Sequence, residues 1–128
     1  MFGHVTGGAP FGAMALGGTL YAVAGVQGSP SILYELDPLN GQIIQTIGPI
    51  GFSNVKSIDF DPTSGILYGH ADGIGLLQID PGTGAGTVIG NDGQSYTNIS
   101  FDSNGVLYGS SITHQNPGIW TINTSTGA

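Results

Sequence analysis

Three histidines, His4, His70 and His114, are the side chains of this chain with the widest chemical range, and Asp72 and Asp92 are the carboxylates that the loop pattern places near them. Imidazoles and carboxylates that converge are the donor set of Zn²⁺ or another divalent ion. Against that reading, no His-x-x-x-His or similar local pair occurs, and three polar loop residues on separate units need not share an ion. Asp59-Phe60-Asp61, followed by Thr63 and Gly65, carries part of an Asp-x-Asp-x-Asp-Gly calcium loop. It lacks the third carboxylate and the distant bidentate Glu, so both aspartates read better as strand and turn residues. No Ser-His-Asp spacing, paired-carboxylate motif or glycine-rich phosphate loop opening a helix is found. The expectation from these residues is a chain with no bound metal, no cofactor and no catalytic activity.

Charge narrows the partners. Lys56 is the single Lys or Arg, against eight Asp and Glu, and the formal net charge is −7. Neutralising phosphates takes several basic side chains, so nucleic acid and anionic membrane surfaces are not expected partners. Without arginine, bidentate recognition of phosphate or carboxylate is also missing. The chain has no cysteine, hence no disulfide and no thiol nucleophile. Its start, Met1-Phe2-Gly3-His4-Val5-Thr6, has no basic segment followed by an apolar run. No stretch approaches the roughly 18 apolar residues of a membrane helix, so membrane insertion is not expected.

The elements that would position these groups repeat. Leu33-Tyr34-Glu35-Leu36-Asp37, Leu76-Leu77-Gln78-Ile79-Asp80 and Ile119-Trp120-Thr121-Ile122-Asn123 are copies of one phrase, spaced by 43 residues (33 to 76, then 76 to 119). Ile58 to Gly69 recurs as Ile99 to Gly109, and a worn copy runs from Ala13 to Ala22. Apolar runs of four to six residues bounded by Gly, Pro, Asn or Asp are strands. A period near 43 made only of strand and turn chemistry predicts an all-β chain of β-propeller blades, each a four-stranded antiparallel meander. The expected strands of the middle blade are Lys56–Phe60, Ile66–His70, Gly75–Ile79 and Gly86–Ile89. The earlier set is Ala13–Leu16, Thr19–Ala24, Ile32–Leu36 and Gln42–Ile47; the later is Asn98–Phe101, Val106–Ser110 and Gly118–Ile122. One repeat region over 1–128 thus divides into blades at about 1–48, 49–90 and 91–128, the last without its fourth strand.

Asp37 to Gly41, Asp61 to Gly65 and Asp80 to Gly84 share one turn design, and Asp102 to Gly105 and Asn123 to Gly127 are variants of it. The Asp or Asn accepts from backbone N–H groups two residues on, and glycine supplies a positive φ. These hairpins make one uniform end. The connections from strand two to three, and from blade to blade, differ in length and content and make a variable end. Binding belongs there, and its candidate residues are Gln27, Ser29, Asp72, Asp92, Tyr96, His114, Gln115 and Asn116. Phe11, Phe52, Tyr96 and Trp120 could stack on sugar rings, although Trp120 aligns with Tyr34 and Leu77 at a packing position. Asn98-Ile99-Ser100 and Asn123-Thr124-Ser125 match the N-glycosylation tripeptide, the first within a strand, and both read as chance. Met1-Phe2-Gly3 aligns with the tail of a fourth strand, as Val88-Ile89-Gly90, so the register reads as a chain cut within a strand.

Gly75 to Gly90 resembles the Leu-x-x-Ile-Asp-Pro-x-Thr-Gly-x-x-x-x-Ile-Gly blade of secreted bacterial and archaeal β-propellers of the YVTN, quinoprotein-like and NHL-like kind. The resemblance implies an extracellular or cell-surface location and transfers no active-site residue. The leading expectation is a non-catalytic module acting by self-assembly, as ring or filament, or by partner binding. Its partners would be a second copy, the remainder of a longer propeller, another protein or a glycan. A carbohydrate-binding propeller using the variable loops is the alternative, and a quinoprotein- or lyase-type enzyme the third.

Overall fold

Eleven short strands among the described residues follow from the short apolar runs and their turns. The computed structural model describes residues 19–25, 28–111 and 117–128, with the backbone of 11–14. His4, Gln27, His114, Gln115 and Asn116 lie outside the described residues. The first sheet holds β1 (Phe11–Met14), β2 (Leu20–Ala24), β3 (Ile32–Leu36) and β4 (Ile43–Pro49). The second holds β5 (Val55–Phe60), β6 (Leu67–Ala71), β7 (Gly75–Ile79) and β8 (Gly86–Gly90). The third holds β9 (Asn98–Phe101), β10 (Leu107–Ser111) and β11 (Gly118–Ile122). Each sheet is an antiparallel meander in chain order, and no helix occurs among the described residues.

The register is common to the three sheets. Ala13 faces Tyr21, Asp59 faces Tyr68 and Ser100 faces Tyr108. The described part of that strand, β1 at Phe11–Met14, begins two residues before the expected Ala13–Leu16, whose Ala15 and Leu16 lie outside the described residues. Strand β5 starts one residue earlier than expected: Val55 pairs with Ala71, and its N–H donates to Ser31 Oγ at 3.2 Å.

All five turns use their first residue as designed. The side chains of Asp37, Asp61, Asp80, Asp102 and Asn123 accept from the N–H groups of Leu39, Thr63, Gly82, Asn104 and Ser125, at 2.8 to 2.9 Å. The calcium-like phrase is resolved by this chemistry. Asp61 also accepts from the Thr63 and Ser64 hydroxyls. Burial acts to raise its carboxyl, but those hydrogen bonds prevail and hold it below the usual carboxylate range. Its lone pairs are committed to its own turn.

Cores form between sheets. Tyr21, Val23 and Leu33 of the first sheet pack on Ile58, Phe60, Leu67, Leu77 and Ile79 of the second. Tyr68 and Leu76 of the second pack on Tyr96, Ile99, Leu107 and Ile122 beside the third. Each fully buried Leu or Ile contributes about 1.5–3 kcal/mol relative to an exposed one. The aromatic contact repeats with the blades: Tyr21 meets Phe60 at 5.5 Å, and Tyr68 meets Phe101 at 5.4 Å, both tilted.

Polar groups join the same sheets. Strand β9 is an edge, so its outward N–H groups need acceptors. Ser57 Oγ accepts from Ile99 N at 3.1 Å and Asp59 Oδ2 from Phe101 N at 2.8 Å. Asp59 therefore links two blades from its place in β5. Glycines set the closest approach at the rims. A Cβ on Gly84 would lie 2.6 Å from Gly48 O, and one on Gly127 would lie 2.5 Å from Gly90 O. Both glycines also have positive φ, 85° and 78°, so turn and junction demand the same residue.

Candidate functional site

The β6–β7 turn and the β8–β9 connection meet around an open hollow of about 350 Å³. Asp72, Gly73, Asn91, Gly93, Gln94 and Ser95 line it. Three of the candidates read from sequence, Asp72, Asp92 and Tyr96, belong to these segments. A larger hollow of about 430 Å³ lies between two hairpins of the middle sheet, against Ile66, Ile79, Pro81 and Ala85. Its carboxylate, Asp80, accepts from Gly82 N within its own turn, so the smaller hollow carries the more varied polar chemistry.

Asp72 is held from three sides. Its N–H donates to Asn54 O at 3.0 Å. Asn54 has φ 58°, a left-handed conformation that Asn tolerates better than most side chains. The Asp72 carboxylate accepts from the Ser95 hydroxyl through Oδ1 and from Lys56 Nζ, at 2.9 Å, through Oδ2. The Ser95 hydrogen bond and then Lys56 lower the Asp72 carboxyl from its usual range despite the opposing effect of burial. The sole lysine is thereby paired within the site, leaving no unpaired Lys or Arg to attract an anion.

The β8–β9 connection is a chain of local side-chain turns. Asn91 Oδ1 accepts from Gly93 N at 2.8 Å, and Asp92 Oδ1 from Gln94 N at 2.9 Å. Asp92 Oδ2 also accepts from the Tyr96 hydroxyl. Burial first, and then this bond to Asp92, raises the Tyr96 phenol above its ordinary range. The phenol remains a donor at all physiological pH.

Tyr96 was expected on the binding face, and the structure places it in the core. It is 1% exposed, fills the space above Gly109 and sits edge-on to His70 at 4.9 Å and to Trp120 at 5.8 Å. A Cβ on Gly109 would come within 2.4 Å of the Tyr96 ring, so that glycine makes the seat. Trp120 packs, as its alignment predicted, and Phe52 lies against the first core. Tyr96 is thus no stacking platform, and Phe52 and Trp120 are partly buried against the two cores.

His70 was expected to end its strand, but β6 runs on to Ala71, and the imidazole is buried, 3% exposed, with no hydrogen-bond partner for Nδ1. Burial lowers its pKa, against the opposing charges of Asp92 and Asp72. It packs behind the hollow instead of ligating within it. Among the described residues, no three His, Asp or Glu side chains group to hold a metal ion. Asp72 and Asp92 are each committed to other donors, and Ser29 is exposed in the β2–β3 connection, away from the residues that line this hollow. The remaining sequence candidates, His4, Gln27, His114, Gln115 and Asn116, fall outside the described residues.

Sequence reasoning missed Ser95, Asn91, Gln94 and the anchoring pair Asn54 and Lys56. Ser95 and Lys56 were visible only as isolated polar residues, because the two segments that bring them to Asp72 are joined by tertiary packing. The signal that could have found them is position: all five flank strand ends on the variable side of the middle repeat.

No protein-family model matches the sequence, and none of the curated proteins compared with it matches. Solved structures do. Hydrazine synthase of Kuenenia stuttgartiensis shares 16% identity with a TM-score of 0.64, covering 92% of this chain and 35% of that one. A gluconolactonase of Xanthomonas campestris, described as important in glucose secondary metabolic pathways, shares 17% with a TM-score of 0.58, covering 88% and 36%. A further candidate gluconolactonase shares 16% with a TM-score of 0.56, covering 81% and 36%. This chain spans about a third of the length of each. At these identities the likeness is one of fold, and the fold is of propeller type.

The expectation of a chain with no catalytic activity is corrected by these neighbours. Two of them are described as gluconolactonases, so the fold found here is one that enzymes use. The repeat gave no view of this because blade motifs record the scaffold, while reacting groups sit in loops that do not repeat.

Proposed function

We propose that the hollow between Asp72 and Ser95 takes a neutral, polyhydroxylated small molecule of the sugar or sugar-lactone class, in a protein that handles such compounds on a propeller scaffold. The observation that carries this reading is the lining itself. It combines a carboxylate, a hydroxyl, two side-chain amides and two glycines whose backbones are open to close approach. Such a set alternates acceptors and donors, as ring hydroxyls require. The paired Lys56 and the absence of arginine disfavour phosphorylated or carboxylated ligands. The burial of Tyr96 removes one ring from the lining and favours recognition by hydrogen bonds over stacking. The gluconolactonase descriptions of two fold neighbours lend support to the same substrate class.

Calorimetric titration with glucose, glucono-δ-lactone and gluconate tests it, together with a pH-stat assay for lactone opening. Saturable binding of the two neutral compounds, weakened at least about tenfold in Ser95→Ala and in Asp72→Asn, is the expected result. Binding of gluconate alone, or neutral-sugar binding that both variants leave unchanged, would remove the proposal.

A further inference from the structure

Four dipeptides place a side-chain carbonyl group beside a glycine nitrogen: Asn40-Gly41, Asp72-Gly73, Asp92-Gly93 and Asn104-Gly105. Glycine has no Cβ to keep its nitrogen from the preceding side chain, so each pair has the atoms to close a five-membered imide. The fold treats the four differently. Asp72 accepts from Lys56 and Ser95, and Asp92 from Gln94 N and the Tyr96 hydroxyl. Both carboxylates are committed to other donors, and the bonds that lower the Asp72 carboxyl keep it ionised, a form that resists attack. Asn40 Oδ1 accepts from Gln42 N at 2.9 Å, and Gly41 N donates to Asp37 O at 2.7 Å. Electrophile and nucleophile are both tied there. Asn104 is exposed, and its side chain makes no hydrogen bond among the described residues. Gly105 N donates to Asp102 O at 3.2 Å, at the long end of the normal range. The turn Asp102-Ser103-Asn104-Gly105 also lacks the proline that stiffens Asp37-Pro38-Leu39-Asn40-Gly41.

We infer that Asn104 is a site of spontaneous covalent modification, converting to an aspartate or isoaspartate link at Gly105 while Asn40 persists. Solvent base removes the Gly105 N–H proton, and the nitrogen bonds to Asn104 Cγ. The Cγ–Nδ2 bond breaks, and ammonia leaves with a proton taken from water. Water then opens the imide and returns the proton to Gly105 N. Opening at Cγ gives aspartate; opening at the Asn104 backbone carbonyl gives isoaspartate, whose main chain runs through Cβ and Cγ. Either product adds a negative charge to a chain already at −7. The position gives this chemistry a structural effect. A Cβ on Gly105 would lie 2.8 Å from Thr63 Oγ1 and 3.0 Å from Asp61 Oδ1, so this turn rests on the turn of the neighbouring sheet. Isoaspartate lengthens the main chain beside that contact and sets a further carboxylate near Asp61 and Asp102. Modification thereby loosens the junction between the second and third sheets.

Ageing the folded chain in mildly alkaline buffer at physiological temperature, with peptide mass spectrometry at intervals, reads the rates. Fragmentation that distinguishes isoaspartate from aspartate locates each product. Asn104 should convert at least about fivefold faster than Asn40, and faster than Asp72 or Asp92 isomerises. In the urea-denatured chain the two asparagines should convert at rates within about twofold of each other. Asn40 converting as fast as Asn104 in the folded chain would overturn the inference. So would an Asn104 preference that persists undiminished in urea, since the local sequence and not the folded turn would then set it. The added charge lets ion exchange separate the isoaspartate form for thermal melting. That form should melt below the fresh chain, with Asn104→Asp, which adds the charge without the longer main chain, between the two. Equal melting of the isoaspartate form and the fresh chain would overturn the effect on the junction.

Discussion

His70 and Tyr96 show how far a residue's role depends on what packs around it. His70 lies one residue before the end of β6 with both site carboxylates in its field, which is where a ligand or general base would be sought. Burial outweighs those charges and keeps the imidazole neutral. The sign of the resulting pH effect is fixed. The unfolded chain takes up a proton on this residue near its ordinary value of about 6.5, while the folded chain does so only at lower pH. The stability contributed by neutral His70 is therefore complete above about pH 6.5 and is lost as pH falls from there toward the folded value. His70→Phe keeps the edge-on contact with Tyr96 and removes both the titration and the unpaired Nδ1. Thermal melts at about pH 7.5 and about pH 5 should show a smaller fall for the variant than for the parent chain. Equal falls would mean that other groups set the acid response. Tyr96 was legible as an aromatic in a variable loop, and its burial was not. That burial comes from Gly109 two strands away and from the bond to Asp92, which no local pattern encodes.

At the scale of strands and turns, most of the structure was legible because the governing chemistry is local. Asp or Asn three or four residues before glycine makes the same side-chain bond to the N–H two residues on in all five hairpins. Strand edges shifted by one or two residues at several strands, β4, β5, β6 and β10 among them, because pairing with the neighbouring strand sets them. The junction chemistry was hidden for the same reason. Asp59 and Ser57 looked like ordinary alternating strand residues, and only the neighbouring edge strand gives them their bonds. Turn glycines can separate local from junction effects. Gly65 and Gly84 have φ of 75° and 85°, but a Cβ on Gly65 meets nothing within 4 Å, whereas one on Gly84 meets Gly48 O at 2.6 Å. Gly65→Ala should cost about 1–2 kcal/mol from backbone strain alone. Gly84→Ala should cost a further ~1–3 kcal/mol because two backbones must separate. Chemical denaturation of both variants checks this, and equal losses would contradict the close packing of the rims.

For the molecule as a whole, the repeat fixes a scaffold, and the proposed site lies in the segments that depart from the repeat. The blades specify one another through Tyr–Phe contacts, side-chain bonds to edge strands and glycine rims. The loops that ignore the period bring Asp72, Ser95, Asn91 and Gln94 together around one hollow. The central claim is that this hollow holds a neutral polyhydroxylated ligand. Its most direct measurement is amide chemical-shift mapping of the ¹⁵N-labelled chain during titration with glucono-δ-lactone and, separately, with glucose. The account predicts saturable shifts concentrated at Gly73, Asn91, Gly93, Gln94 and Ser95, with the hairpin glycines Gly41 and Gly65 unmoved. Saturating concentrations that move none of these amides, or that move the hairpin end instead, would contradict it.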